Sequence, residues 1–158
     1  MNGHEEVVRM LLERDDIDPN RPDIYGQTPL RSAAYNGHEG MVKLLLGRDD
    51  VDPNNLDRYD RTPLCLAASK GHEGIVKILL GRHDIEPDKP DRGGRTPLLR
   101  AAENGYEVVV RILLGRNDVD PNKPDNKGRT PLKRATENGH PGVIALLQPL
   151  VTAAHSST

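Results

Sequence analysis

Apolar residues come in short blocks at helical spacing along this chain. Leu30, Ala33 and Ala34 make one block. Met41, Val42, Leu44, Leu45 and Leu46 make a second, with Lys43 left outside. Apolar positions three and four apart predict amphipathic helices. Thr28-Pro29 predicts the start of the first helix, because the hydroxyl accepts an orphan amide and the proline has no amide to orphan. Asn36-Gly37 predicts its end, since glycine takes the left-handed C-cap without steric cost. Gly47 and Asp49-Asp50 end the second helix. Val51-Asp52-Pro53-Asn54 then predicts an extended turn, because proline disfavours helix in the residue before it.

The pattern returns with a fixed period. Thr-Pro-Leu begins at Thr28, Thr62, Thr96 and Thr130, each 34 residues after the last. An Asn-Gly-His-like signal recurs at Asn2-Gly3-His4, Asn36-Gly37-His38, Lys70-Gly71-His72, Asn104-Gly105-Tyr106 and Asn138-Gly139-His140. An acidic residue followed by proline recurs at Pro19, Pro53, Pro87 and Pro121. Three markers on one period predict a solenoid. Helices of about 8–10 residues are marginal alone in water, so each unit must bury its apolar face on a neighbour. The fold class expected is all-α, a solenoid of stacked helix–turn–helix units joined by hairpin-like loops.

The boundaries follow from the period. Residues 1–22 hold the second helix of a partial unit. Units span 23–56, 57–90 and 91–124, and a C-terminal unit spans 125–150, with Pro149 ending the last helix. Residues 151–158 are expected to be a disordered tail. The half-unit, together with Ile144, Leu147, Leu150 and Val151, leaves apolar surface at both ends. The chain is therefore expected to be a fragment of a longer array or to self-associate.

Composition sharpens this picture. The 158 residues include no Phe, no Trp and 4 Tyr, so the interior must be Leu, Val, Ile and Ala, as thin repeated layers require. A net charge of −2 gives no overall pull toward nucleic acid or anionic membrane. No apolar run approaches the roughly 20 residues of a membrane span. The single cysteine, Cys65, allows no internal disulfide. An intracellular location is expected, cytoplasmic or nuclear.

The segment Asp23-Ile24-Tyr25-Gly26-Gln27-Thr28-Pro29-Leu30, with Ala33-Ala34, Asn36-Gly37-His38 and Val42-Lys43-Leu44-Leu45-Leu46, resembles the ankyrin repeat family. The resemblance covers roughly residues 1–148. It implies non-catalytic protein–protein interaction, with the concave face and turn tips contacting the partner. Three departures stand out. The family's histidine after Thr-Pro-Leu is replaced by Arg31, Cys65, Leu99 and Lys133, which puts its hydrogen bonding between units in doubt. The turn glycine, present as Gly26, Gly94 and Gly128, becomes Asp60, a residue that tolerates left-handed φ. The junction Arg48-Asp49-Asp50-Val51-Asp52-Pro53-Asn54 resembles arrays of fungal receptor-type NTPase proteins. The alternative function is thus a passive scaffold or sensor array of a larger NTPase-type receptor.

No residue set points to catalysis. His4, His38, His72 and His140 repeat once per unit, about 10 Å apart in stacked helices, whereas zinc needs ligands converging within roughly 2 Å. They are read as structural groups at helix starts. Cys65 lacks a base and is read as a buried small hydrophobe. The runs Asp15-Asp16-Ile17-Asp18, Asp49-Asp50-Val51-Asp52, Asp84-Ile85-Glu86 and Asp118-Val119-Asp120 lack the rest of a calcium loop and are read as solvated. No cofactor and no metal is expected.

Positions that do not repeat are free to specify a partner. On the turn tips these are Tyr25, Arg58, Tyr59, Arg61, Arg92, Arg95, Lys127 and Arg129. On the first helices they include Tyr35, Leu66, Arg100 and Arg134, expected to be exposed. The arginines would meet an acidic protein surface, and the tyrosines would anchor it. The plainer reading is that these basic residues only solubilise the turns. Nucleic acid is disfavoured, because stacking aromatics are scarce and the aspartate runs repel phosphate.

Overall fold

The computed structural model describes residues 3–14 and 16–155, with side chains from residue 6 to 150. Its helices are α1 (Gly3–Leu12), α2 (Pro29–Asn36), α3 (Glu39–Leu46), α4 (Pro63–Lys70), α5 (Glu73–Leu80), α6 (Pro97–Glu103), α7 (Glu107–Leu114), α8 (Pro131–Glu137) and α9 (Pro141–His155). The described residues contain no strand. None of their helices is long and apolar enough to cross a membrane. First helices α2, α4, α6 and α8 stack on one another in one layer. Second helices α1, α3, α5, α7 and α9 stack in another.

The caps form as the residues dictate. Thr28, Thr62, Thr96 and Thr130 accept from the amides of Arg31, Cys65, Leu99 and Lys133. Gly37 and Gly71 close the first helices at φ 79° and 74°. A side chain is excluded there for a second reason, since a Cβ on Gly71 would lie 2.7 Å from the Tyr106 ring of the next unit. His72 plays the same packing part over Gly37, and its Nε2 lies 3.0 Å from the Tyr35 carbonyl. His140 lies over Gly105 and is 3.0 Å from the Glu103 carbonyl. His72 and His140 thus tie their units to the ones before them. His4's side chain lies outside the described residues.

The core is one aliphatic seam. Leu30, Leu64 and Leu98, with Ala33, Ala67, Ala101 and Ala135, Val42, Val76 and Val110, and Leu45, Leu79, Leu113 and Leu147, are at most 3% exposed. Full burial of such a leucine contributes roughly 1.5–3 kcal/mol. Alanines facing alanines let successive first helices approach closely. Leu66 belongs to this interior as well. It is 0% exposed, where the sequence predicts an exposed position, because an aliphatic side chain in that row folds in among neighbouring first helices.

One helix end also differs from expectation. The helix α9 continues through Pro149 to His155, so the first residues after 150 are helical. Proline there removes only the bond to the Ala145 carbonyl, and Ala145 is exposed, so water can take up that oxygen. Residues 156–158 of the expected tail lie outside the described residues.

The acidic junctions do more than solubilise. In each, an arginine grips the aspartate two residues on: Arg48 with Asp50, Arg82 with Asp84 and Arg116 with Asp118, all through paired bonds of 2.7–2.9 Å. The same guanidinium reaches a helix-end carbonyl of the preceding unit: Leu12 from Arg48, Leu46 from Arg82 and Leu80 from Arg116. Those carbonyls have no partner within their own helix.

An asparagine ladder runs beside these clamps. Asn20 donates to the Asp50 carbonyl and accepts from the Asp52 amide. Asn54 does the same with Asp84 and Glu86. The next rung is Asp88. Its Oδ2 accepts from the Asp120 amide at 2.9 Å, but its Oδ1 is buried without a hydrogen-bond partner. By register, that oxygen stands where the asparagines aim a donor, toward the Asp118 carbonyl. Lys123 donates to the Asp88 carbonyl oxygen and lies 4.0 Å from its carboxylate, while Asp118 and Asp120 oppose the charge. Burial raises the Asp88 carboxyl above the ordinary range. A folded value above the unfolded one means this group favours the folded state more as pH falls. Asp88→Asn should therefore stabilise the protein at pH 7 by about 1 kcal/mol. The gain should shrink as the pH approaches that of an ordinary carboxyl, as urea denaturation at several pH values would show.

Candidate functional site

Each turn tip is built on one aspartate, exposed at Asp23 and buried at Asp57, Asp91 and Asp125. Asp23, Asp57, Asp91 and Asp125 receive, on Oδ1, the amides two and four residues on, at 2.8–3.0 Å. The tips turn through left-handed residues, Gly26, Gly94, Gly128 and Asp60, the last at φ 59°. Asp60 thus adopts the conformation expected of it. Neighbouring tips are also bonded: Arg92 donates its amide to the Tyr59 carbonyl at 2.9 Å, and Asn126 to the Gly93 carbonyl at 3.0 Å.

The second carboxylate oxygen of the three buried aspartates binds arginine. Asp57 holds Arg61 at 2.7 Å and Arg31 at 3.1 Å. Asp91 holds Arg95 at 3.3 Å and Arg100 more closely. Asp125 holds Arg129 at 2.7 Å. Burial pushes these three carboxyls up, but the arginines and turn amides outweigh it and leave each below its ordinary value. Their stabilisation is present above the ordinary carboxylate range and fades as pH falls, opposite in sign to Asp88.

Arg31 answers the first departure from the family pattern. It replaces the histidine after Thr-Pro-Leu and is 9% exposed, reaching Asp57 of the next unit. The link between units is rebuilt as an ion pair. At the equivalent Cys65 and Leu99 it becomes apolar packing, both being at most 1% exposed. Burial pushes the Cys65 thiol up to about 12, which keeps it protonated and unreactive.

The expected binding residues fall into two groups. Arg61, Arg95, Arg100, Arg129 and Arg134 are half-buried and paired within the chain, Arg134 with Glu103 and Glu137. These arginines hold the turns and first helices in place, a role that sequence spacing alone did not show. Tyr25, Tyr35, Arg58, Tyr59, Arg92 and Lys127 are exposed. Tyr59 lies between Arg58 and Arg61, whose guanidinium carbons stand 5.1 and 4.9 Å from its ring centre. Tyr35 carries Lys70 over its ring at 4.7 Å. The structure brings Tyr59, Arg58 and Arg92 together on adjoining tips, with Lys127 on the next tip and Tyr25 on the preceding one. Among the described residues, no group of three or more His, Cys, Asp or Glu is placed to hold a metal ion.

The family model for ankyrin repeats matches this chain in three overlapping copies, over residues 1–91, 49–125 and 82–154. No curated protein matches it as a relative.

The aspartate hubs give a test of the scaffold. Asp91→Ala would leave Arg95 and Arg100 without their carboxylate and free two turn amides. It should cost about 3 kcal/mol in urea denaturation. Arg92→Ala, at an exposed side chain, should cost less than about 0.5 kcal/mol.

Proposed function

The chain belongs to the ankyrin repeat family, whose members are generally protein–protein interaction modules, and from that premise we propose that it binds an acidic protein partner without catalysis. The contact surface is the row of turn tips and first helices. One observation carries this reading: Tyr59 is 47% exposed, on a tip whose backbone is pinned by the Asp57 carboxylate and by the neighbouring Arg92 amide. A rigid aromatic held in the open loses little entropy when a partner covers it. Exposed Arg58 and Arg92 flank it with positive charge. A passive scaffold would leave this nonrepeating face idle.

The exposed arginines, Arg58 and Arg92, rather than the half-buried ones, supply the attraction to the partner. A photo-crosslinking residue in place of Tyr59 should capture the partner, while one in place of exposed Lys43 on α3 should not. Partner affinity should fall about tenfold or more as salt rises from about 50 to about 500 mM, and again on Arg92→Glu. Affinity that ignores both salt and Arg92→Glu would rule out the acidic partner.

A further inference from the structure

We propose that the cavity between the second and third turn tips receives a phosphate monoester carried on a side chain of the partner. This rests on the binding role above and adds the ligand's chemistry.

The cavity is open, about 420 Å³, and lined by Tyr59, Arg61, Asp91, Arg92, Gly93, Arg95 and Arg100. Four guanidiniums thus face one carboxylate, and that carboxylate is fully engaged. Its Oδ1 takes the amides of Gly93 and Arg95 at 2.8 and 3.0 Å. Its Oδ2 takes Nε of Arg100 at 2.9 Å and Nη2 of the same guanidinium.

Arg95 is displaced as a result. In the units before and after, Arg61 and Arg129 bond their aspartates through Nε at 2.9 Å and Nη2 at 2.7 Å. Arg95 brings its Nε only to 3.3 Å from Asp91 Oδ2, too poorly aligned for a hydrogen bond, and that Nε is buried with no other acceptor. The cause is Arg100, which stands where the equivalent positions carry Ser32 and Leu66. Arg134, next in that row, turns to Glu103 instead. The cavity at Asp91 is therefore the place where a second arginine crowds out the first and leaves a donor waiting for oxygen.

Arg92 adds an exposed arm. Its side chain is 68% exposed, and Asp60 at 3.4 Å holds it only at the rim. Asp57 engages Arg61 but shares itself with Arg31, so the local surplus stays positive. A phosphate monoester brings nearly two negative charges and three acceptor oxygens, enough for the forks of both Arg92 and Arg95. A carboxylate would bring one charge and two oxygens. Tyr59 offers an apolar wall for the side chain carrying the phosphate. A nucleic-acid backbone is less suited, because Asp60 on the rim and the acidic junctions interrupt any continuous basic track.

The test is an NMR titration of the intact chain, following the Gly93 amide and the Arg95 Nε–H. Inorganic phosphate should give saturable shifts at millimolar concentration, and acetate should not. A short phosphoserine peptide should bind about tenfold or more tighter than its serine counterpart. Arg92→Gln, at an exposed residue, should weaken the phosphopeptide about tenfold, and so should Arg95→Gln, while Lys43→Gln should not. Equal shifts from acetate and phosphate, no saturation, an unaffected Arg92→Gln, or tighter binding of a single-stranded oligonucleotide would each overturn the proposal. A crosslinked partner that still binds after phosphatase treatment would overturn it too, leaving the protein-binding reading in place. Phosphate binding with no protein captured at position 59 would do the reverse.

Discussion

A helix of seven or eight residues does not hold itself together in water, and this chain is built almost wholly from such helices. Each is stable only while its apolar face is covered by the unit alongside. That one constraint explains the aliphatic seam, the alanines where first helices meet, and the absence of Phe and Trp. It also explains why so many polar groups point along the stack. A carbonyl left over at one helix end finds its donor in the following unit: Leu46 in Arg82, Leu80 in Arg116, Tyr35 in His72. Burial and hydrogen bonding are satisfied across junctions as well as within units.

Much of this is written in local residue choices. Thr-Pro at each first-helix start, Gly at or just past each first-helix end and the 34-residue spacing fix where the first helices lie, because caps act on their immediate neighbours. The αL aspartate at position 60 is legible for the same reason. The arginines are not. Spacing places Arg61, Arg95, Arg100 and Arg129 on the exposed side, yet it cannot say which carboxylate each one meets. Two of those pairings turn on a single neighbour, Arg100, whose reach across the turn depends on three-dimensional proximity. Arg48, Arg82 and Arg116 share a period with their aspartates, so that signal was present as a repeated Arg-x-Asp. Its second half, the bond to a carbonyl 36 residues back, becomes visible only once the units are stacked. Pro149 shows the opposite limit. A local rule predicts a helix end there, and the helix continues because it loses one bond at a hydrated edge.

The binding side shows how a repeat can become specific. The aspartates accept the same two turn amides in every complete unit and hold the tips in a common shape. What changes from tip to tip is the side chain standing free of the hub: Tyr25 and Gln27, then Arg58 and Tyr59, then Arg92, then Lys127. Scaffold charge is neutralised internally by half-buried pairs, and only the residue left over is available to another molecule. The whole-chain charge of −2 therefore says little about this face.

The ladder rung at Asp88 has a mechanical meaning. A stack of units is a set of joints in series, and load applied along it is felt equally by every joint. The joints bridged by Asn20 and Asn54 are closed by a side-chain donor and acceptor, whereas the Asp88 side chain offers an acceptor alone, with Lys123 donating only to its carbonyl. Pulled from its two ends, the array would part first between its second and third complete units, letting the last two units peel away while the rest stays folded.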